Sequence, residues 1–260
     1  MFKPLAGAAL AAALLASPLS AAVVTKTVEY KVGDTNLRGF LAWDDAHHGK
    51  RPAVIVVHEW WGLNDYAKER AKQLAALGYV AFAADMYGDG KTTDHPEDAG
   101  KWATAISQNL PEGLARAKAA IELVKADPHV DGAKVAAIGY CFGGAVVMHM
   151  AYAGLDVKGV ASFHGSLPTA PETTTAIAAK IAVYHGAADA FVPATQIQNF
   201  TAALDKLKAD WSMTSYGGAV HSFTVAGSEN RKIPGIAHDA SADRRSWASL
   251  QSFLGELFGR

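Results

Sequence analysis

One cysteine occurs in 260 residues, and it stands in the stretch Gly139-Tyr140-Cys141-Phe142-Gly143. An apolar strand-like run, Lys134–Gly139, precedes it, and a helix-like run, Gly144–Ala153, follows. A nucleophile on a sharp strand-to-helix turn has this pattern, with cysteine here where serine is usual. Glycines two residues either side are required sterically, because a Cβ there would collide with the strand or the helix. The N–H groups of the following helix point at the sulfur and favour thiolate. The competing reading is a small buried hydrophobe.

A thiol near its ordinary pKa is only a few per cent ionised at neutral pH, so a base is needed. The chain order nucleophile, acid, histidine selects His221, in the loop Gly217-Gly218-Ala219-Val220-His221-Ser222-Phe223 after the last strand-like run. His238 follows no strand. The orienting acid should lie after the preceding strand, where Gly186-Ala187-Ala188-Asp189 offers one carboxylate. Asp189 has an alternative use as a helix cap, and Asp205 and Asp210 are placed less well. Backbone N–H groups of Phe142 and Trp60 are the candidate oxyanion donors. Trp61 and Tyr87 are candidate pocket residues. Glu59, a carboxylate ending the apolar run Ala53–His58, reads on its own as a solvated loop charge. His47, His48 and His95 lack ligand spacing, so neither a metal nor another cofactor is expected.

These residues need a scaffold, and the pattern supplies one. Thr25–Val32 and Leu37–Ala42 flank a turn and predict a hairpin. Strands are expected at Ala53–His58, Tyr79–Ala84, Lys134–Gly139, Val157–Phe163, Lys180–His185 and Trp211–Tyr216. Helices are expected from Asn64 to Gly78, over Trp102–Gln108, Leu110–Lys125, Gly144–Ala153 and Ala194–Lys208, and over Asp239–Phe258. Alternation of this kind implies right-handed crossovers and a mostly parallel, doubly wound α/β sheet with an antiparallel hairpin at its N-terminal end. Chemistry then belongs at the carboxyl ends of the strands.

Residues 1–22 carry one positive charge, an alanine-rich apolar run and a small-residue segment ending in Ser20-Ala21-Ala22. That order predicts a signal peptide cleaved after Ala22, with residues 23–260 forming one domain that is periplasmic or secreted. No later run reaches the roughly 18 apolar residues of a membrane helix. The formal net charge of −1 and the absence of a basic stripe argue against nucleic acid as a partner. A small-molecule ester with water is expected instead, and a monomer is favoured. With one cysteine there is no internal disulfide, and the thiol is potentially reactive.

Together the motifs resemble the dienelactone hydrolases, cysteine enzymes of the α/β-hydrolase fold. VVHEWWGLNDYAKERAKQLAALGYVAFAADMYG, VDGAKVAAIGYCFGG, HGAADAFVP and GAVHSF match the family's opening, nucleophile, acid and histidine segments in order, over about Pro52 to Phe223. The resemblance implies a Cys141–His221–Asp189 triad and a functional Glu59 that contacts the thiol in the resting enzyme. It also implies arginines that grip a substrate carboxylate. Here His221-Ser222-Phe223 is followed by Thr224-Val225-Ala226, and the first nearby arginine is Arg231. Hydrolysis of activated esters or enol lactones is the expected function. A general carboxylesterase or thioesterase and a non-catalytic binding protein are the alternatives.

Overall fold

The computed structural model describes residues 23–259; the predicted signal peptide lies outside them. The chain opens with a hairpin, β1 (Val23–Val32) and β2 (Thr35–Asp44). Its two-residue turn is Gly33-Asp34, with Gly33 at φ +55°, the left-handed value that glycine adopts without strain. Then come β3 (Arg51–Val57), α1 (Asp65–Ala76), β4 (Val80–Ala84), α2 (Pro96–Gln108) and α3 (Leu110–Ala126). They are followed by β5 (Val130–Tyr140), α4 (Phe142–Tyr152), β6 (Gly159–Phe163), β7 (Lys180–Gly186), α5 (Ala194–Lys206), β8 (Trp211–Tyr216) and α6 (Ala240–Phe258).

All eight strands form one sheet in the order β1-β2-β4-β3-β5-β6-β7-β8. The pairs β1/β2 and β2/β4 are antiparallel, and the remaining pairs are parallel. The continuous apolar run of β3 has the cause expected of it, since both of its faces are covered. Ala53, Ile55 and Val57 pack on the side of α3 and α4, while Val54 and Val56 pack on the side of α1 and α6. From β3 the order runs outward both ways, to β4 and to β5. This is the switch point of an open α/β sheet, where a crevice forms at the carboxyl edge.

Among the element boundaries that shift from the sequence expectation, three stand out. Helix α2 starts at Pro96, not Trp102, because proline fits the first helical position and Glu97 and Asp98 complement the helix N-terminus. Strand β5 starts at Val130, pairing with Arg51 across a register irregularity. Helix α4 begins at Phe142 directly after the cysteine, two residues before Gly144.

Candidate functional site

Cys141 is the one residue between β5 and α4, and its backbone sits at φ 54°, ψ −116°. For a side chain with a Cβ this is strained, and the surrounding structure must enforce it. A Cβ on Gly139 would lie 2.0 Å from the Gly143 carbonyl oxygen; one on Gly143 would lie 2.3 Å from the Val57 oxygen. The strand and helix therefore meet closer than any other residue type permits, and the sulfur is pushed to the tip of the turn. The Cys141 N–H is anchored on the Phe163 carbonyl at 3.0 Å, tying the tip to the neighbouring strand.

His221 follows β8 and Asp189 follows β7, so all three side chains come from the same sheet edge. The Asp189 carboxyl, fully shielded from solvent, accepts from His221 Nδ1 at 2.8 Å through Oδ2. Its Oδ1 accepts from the Phe191 N–H at 2.9 Å. Asp189 does not cap α5, whose N-terminus is at Pro193. His221 and Cys141 also line one cavity, close enough for the charge of the sulfur to act on the imidazole. Burial works against a charged His221, but the adjoining Cys141 thiolate, the bond to Asp189 and that carboxylate's charge outweigh it, raising the pKa to about 10. These charges favour the imidazolium once the sulfur has given up its proton. His221 is further fixed through its backbone, where its N–H donates to the Gly235 carbonyl at 3.1 Å and its carbonyl accepts from Ala237 at 3.2 Å.

Glu59 lies just past β3 and is buried, 3% exposed. Its Oε1 accepts from the Ser222 hydroxyl at 2.9 Å. The resemblance implies a resting contact between Glu59 and the thiol; here the hydrogen bond of the carboxyl is to Ser222. Burial raises the Glu59 pKa, opposed by the Ser222 bond and by the charges of His221 and Arg231. Ser222 holds φ 55° and had no signal in the sequence beyond adjacency to the histidine.

The cavity at the thiol, about 190 Å³, is lined by Trp60, Cys141, Ser166, Phe191, His221, Ile233 and Ile236. Its walls are apolar and carry no lysine or arginine. Phe191 is half-exposed at 52%, with its ring 5.1 Å from that of His221. Trp61 and Tyr87, expected in the pocket, are not among the residues that line it. Trp61 is buried under the Arg231 guanidinium, 3.8 Å from the ring centre, and that guanidinium also pairs with Asp94 at 3.2 Å. Tyr87 packs on Phe142 and donates its hydroxyl to the Trp60 carbonyl at 3.1 Å. The N–H groups of Trp60 and Phe142 donate to no protein acceptor among the described residues, leaving both open to a ligand. His164, also unanticipated, is buried behind His221 with the rings 5.3 Å apart and Nε2 2.7 Å from Thr224 Oγ1. Among the described residues, no group of three or more His, Cys, Asp or Glu is placed to hold a metal ion.

The sequence pattern of the dienelactone hydrolase family matches residues 37–258. The chain belongs to the dienelactone hydrolase family. A solved dienelactone hydrolase-like promiscuous phosphotriesterase from metagenomic libraries is 38% identical, with a TM-score of 0.88 over 91% of this chain and 99% of that one. Carboxymethylenebutenolidase of Pseudomonas sp. (strain P51) is 30% identical over 70% of this chain and 78% of its own length. Protein usf of Aquifex pyrophilus is 30% identical over 82% of this chain and 93% of its own. Membership makes the protein a carboxylic-ester hydrolase of the dienelactone hydrolase kind, and a small-molecule substrate and water are its reactants.

Proposed function

We propose that this dienelactone hydrolase family member cleaves neutral, activated esters and enol lactones through a thioester on Cys141. His221 Nε2 takes the proton from Cys141 Sγ, and the thiolate adds to the substrate carbonyl. The resulting oxyanion is held by the N–H groups of Trp60 and Phe142. As the tetrahedral centre collapses, the carbon–oxygen bond breaks and the leaving oxygen takes the proton from His221. Water then gives a proton to His221 and adds to the thioester. Collapse of this second centre breaks the carbon–sulfur bond, releases the acid and returns the proton to sulfur. Asp189 holds the imidazole's orientation throughout, and Glu59 sets the charge balance beside the thiol.

The observation that carries this reading is the His221 imidazole bonded through Nδ1 to buried Asp189 and lining one cavity with Cys141. Sulfur narrows the substrates, because a thiolate leaves more readily than a simple alkoxide. Alkyl esters therefore revert, while enols, phenols and thiols depart forward. Beyond Cys141 and His221 themselves the lining holds no ionisable side chain, which supports neutral substrates, since an anionic group entering it would lose water and meet no lysine or arginine. Export to the periplasm or the medium, through residues 1–22, completes the proposal.

Phenyl-ester hydrolysis should exceed ethyl-ester hydrolysis of the same acid, and Cys141→Ala should remove at least about 10³-fold of the rate, as for other nucleophile deletions. Full activity in the alanine variant, or faster ethyl-ester turnover, would refute the thioester route. Pairing each lactone with its carboxylated analogue tests neutrality; preference for the acid would contradict it. A second reading, transfer of a phosphoryl group from aryl phosphotriesters to Cys141, is favoured by the similarity to the phosphotriesterase. Release of a phenol from a dialkyl aryl phosphate, abolished in Cys141→Ala, would establish it.

A further inference from the structure

His58 is the last residue of the apolar run at the end of β3, wholly buried, and the reaction steps above leave it unused. Its Nε2 accepts the Met86 N–H at 3.2 Å, which assigns the ring proton to Nδ1. Nδ1 then donates to the Glu59 carbonyl at 2.5 Å. That carbonyl belongs to the same peptide unit as the Trp60 N–H. A trans peptide plane holds its N–H opposite its C=O, so fixing one fixes the direction of the other. Donation to the carbonyl also polarises the amide and strengthens its N–H as a donor. The Gly62 N–H reaches the same oxygen at a longer 3.3 Å.

The same imidazole touches the other oxyanion donor. Its ring stacks on Phe142, with centres 6.0 Å apart and planes inclined 27°, and meets the edge of Tyr87 at 4.8 Å. Tyr87 in turn fixes the following carbonyl, that of Trp60, so the backbone is tied on both sides of Trp60. Beneath the sulfur, the His58 carbonyl would lie 2.6 Å from a Cβ on Gly143, so the same residue also abuts the elbow.

We infer that His58 is a positioning residue for the oxyanion site: its neutral imidazole aims the Trp60 N–H and braces Phe142. The inference rests on the proposed thioester reaction. Burial pushes the His58 pKa down, which keeps the ring neutral and its donor and acceptor sides assigned.

The test compares two reactions of the same sulfur. Hydrolysis of a phenyl ester passes through an oxyanion, whereas alkylation of Cys141 by iodoacetamide does not. His58→Leu removes both ring hydrogen bonds. It should lower kcat/KM for the ester by about 10–100-fold, less than the 10²–10³-fold that loss of a whole donor costs. Its alkylation rate should stay at the wild-type value. His58→Asn keeps an N–H at the Nδ1 position and should recover most of the ester activity. Unchanged ester hydrolysis in a folded His58→Leu protein overturns the inference. So does a parallel fall in alkylation and hydrolysis in both variants, which would mark a purely structural residue. Cys141→Ala, measured alongside, separates the two levels: retained hydrolysis there rejects the thioester reading itself.

Discussion

Two buried carboxylates stand at the carboxyl ends of adjacent strands, Asp85 after β4 and Glu59 after β3, and their surroundings are opposite. Asp85 accepts four backbone N–H groups, from Arg38 at 3.0 Å, Tyr87 and Gly88 at 2.9 Å each, and Gly90 at 2.8 Å. It closes the loop after β4 and ties that loop to the hairpin. Glu59 has one donor, the Ser222 hydroxyl, and borrows charge from His221 and Arg231. A carboxylate wrapped in amides holds architecture. One left short of donors in a buried place ionises less readily, and here its single donor is the residue next to His221. Burial alone does not distinguish the two acids; the supply of donors does.

The largest effect expected from this contrast is at Asp85. Asp85→Ala strands four amides and should cost about 4 kcal/mol, given roughly 1–3 kcal/mol for each unsatisfied buried group with partial rescue by water. A denaturant titration reads this directly, and a loss under about 1 kcal/mol would erase the distinction, being no more than a typical substitution. Glu59→Gln should act in the opposite sense. The folded-state pKa of Glu59 is raised, so the native protein holds that proton more tightly than the unfolded chain. The associated stability is present at acid pH and disappears as pH rises through the folded pKa. At neutral pH the wild type has therefore lost that stability. The glutamine variant should melt a few degrees higher, about 2–4 °C per kcal/mol in a domain of this size. That advantage should vanish below the ordinary glutamate pKa; a lower Tm at neutral pH would place Glu59 with Asp85. Ser222→Ala should give the smallest change, about 1 kcal/mol of destabilisation at neutral pH. It removes the single donor to the carboxylate, so the loss should shrink on acidification, and a pH-independent loss would mean that Ser222 matters only for its backbone.

Much of this layout was legible in the sequence, for identifiable reasons. The strands announced themselves because parallel strands buried on both faces read as apolar runs. Cys141, Asp189 and His221 stood out because one sheet edge must gather whatever chemistry the loops carry, and each of the three loops offers one suitable residue. The site's other parts left weaker traces. His58 looked like the end of a strand, and its role is set by an acceptor on the next residue and a donor on the adjacent strand's loop. Ile233 and Ile236 sit in an irregular segment with no periodicity to mark them, and Phe191 is an isolated aromatic. Trp61 was misplaced because two adjacent tryptophans look equivalent in a string, whereas alternate directions send one into the pocket and the other under Arg231. Helix α2 was read short because its first turn is charged, and its amphipathic face begins only later.

The segment that walls the pocket with Ile233 and Ile236 is the same one that grips the backbone of His221 through Gly235 and Ala237. On the proposed reaction, selectivity and reactivity share one short piece of chain. A variant that widens the pocket there for a bulkier acid also disturbs the seat of the base, so a change of diet at this wall carries a change of pace. Phe191 offers no freer route, because its ring fills the space beside Gly235 and meets the His221 ring, and its N–H is held by Asp189.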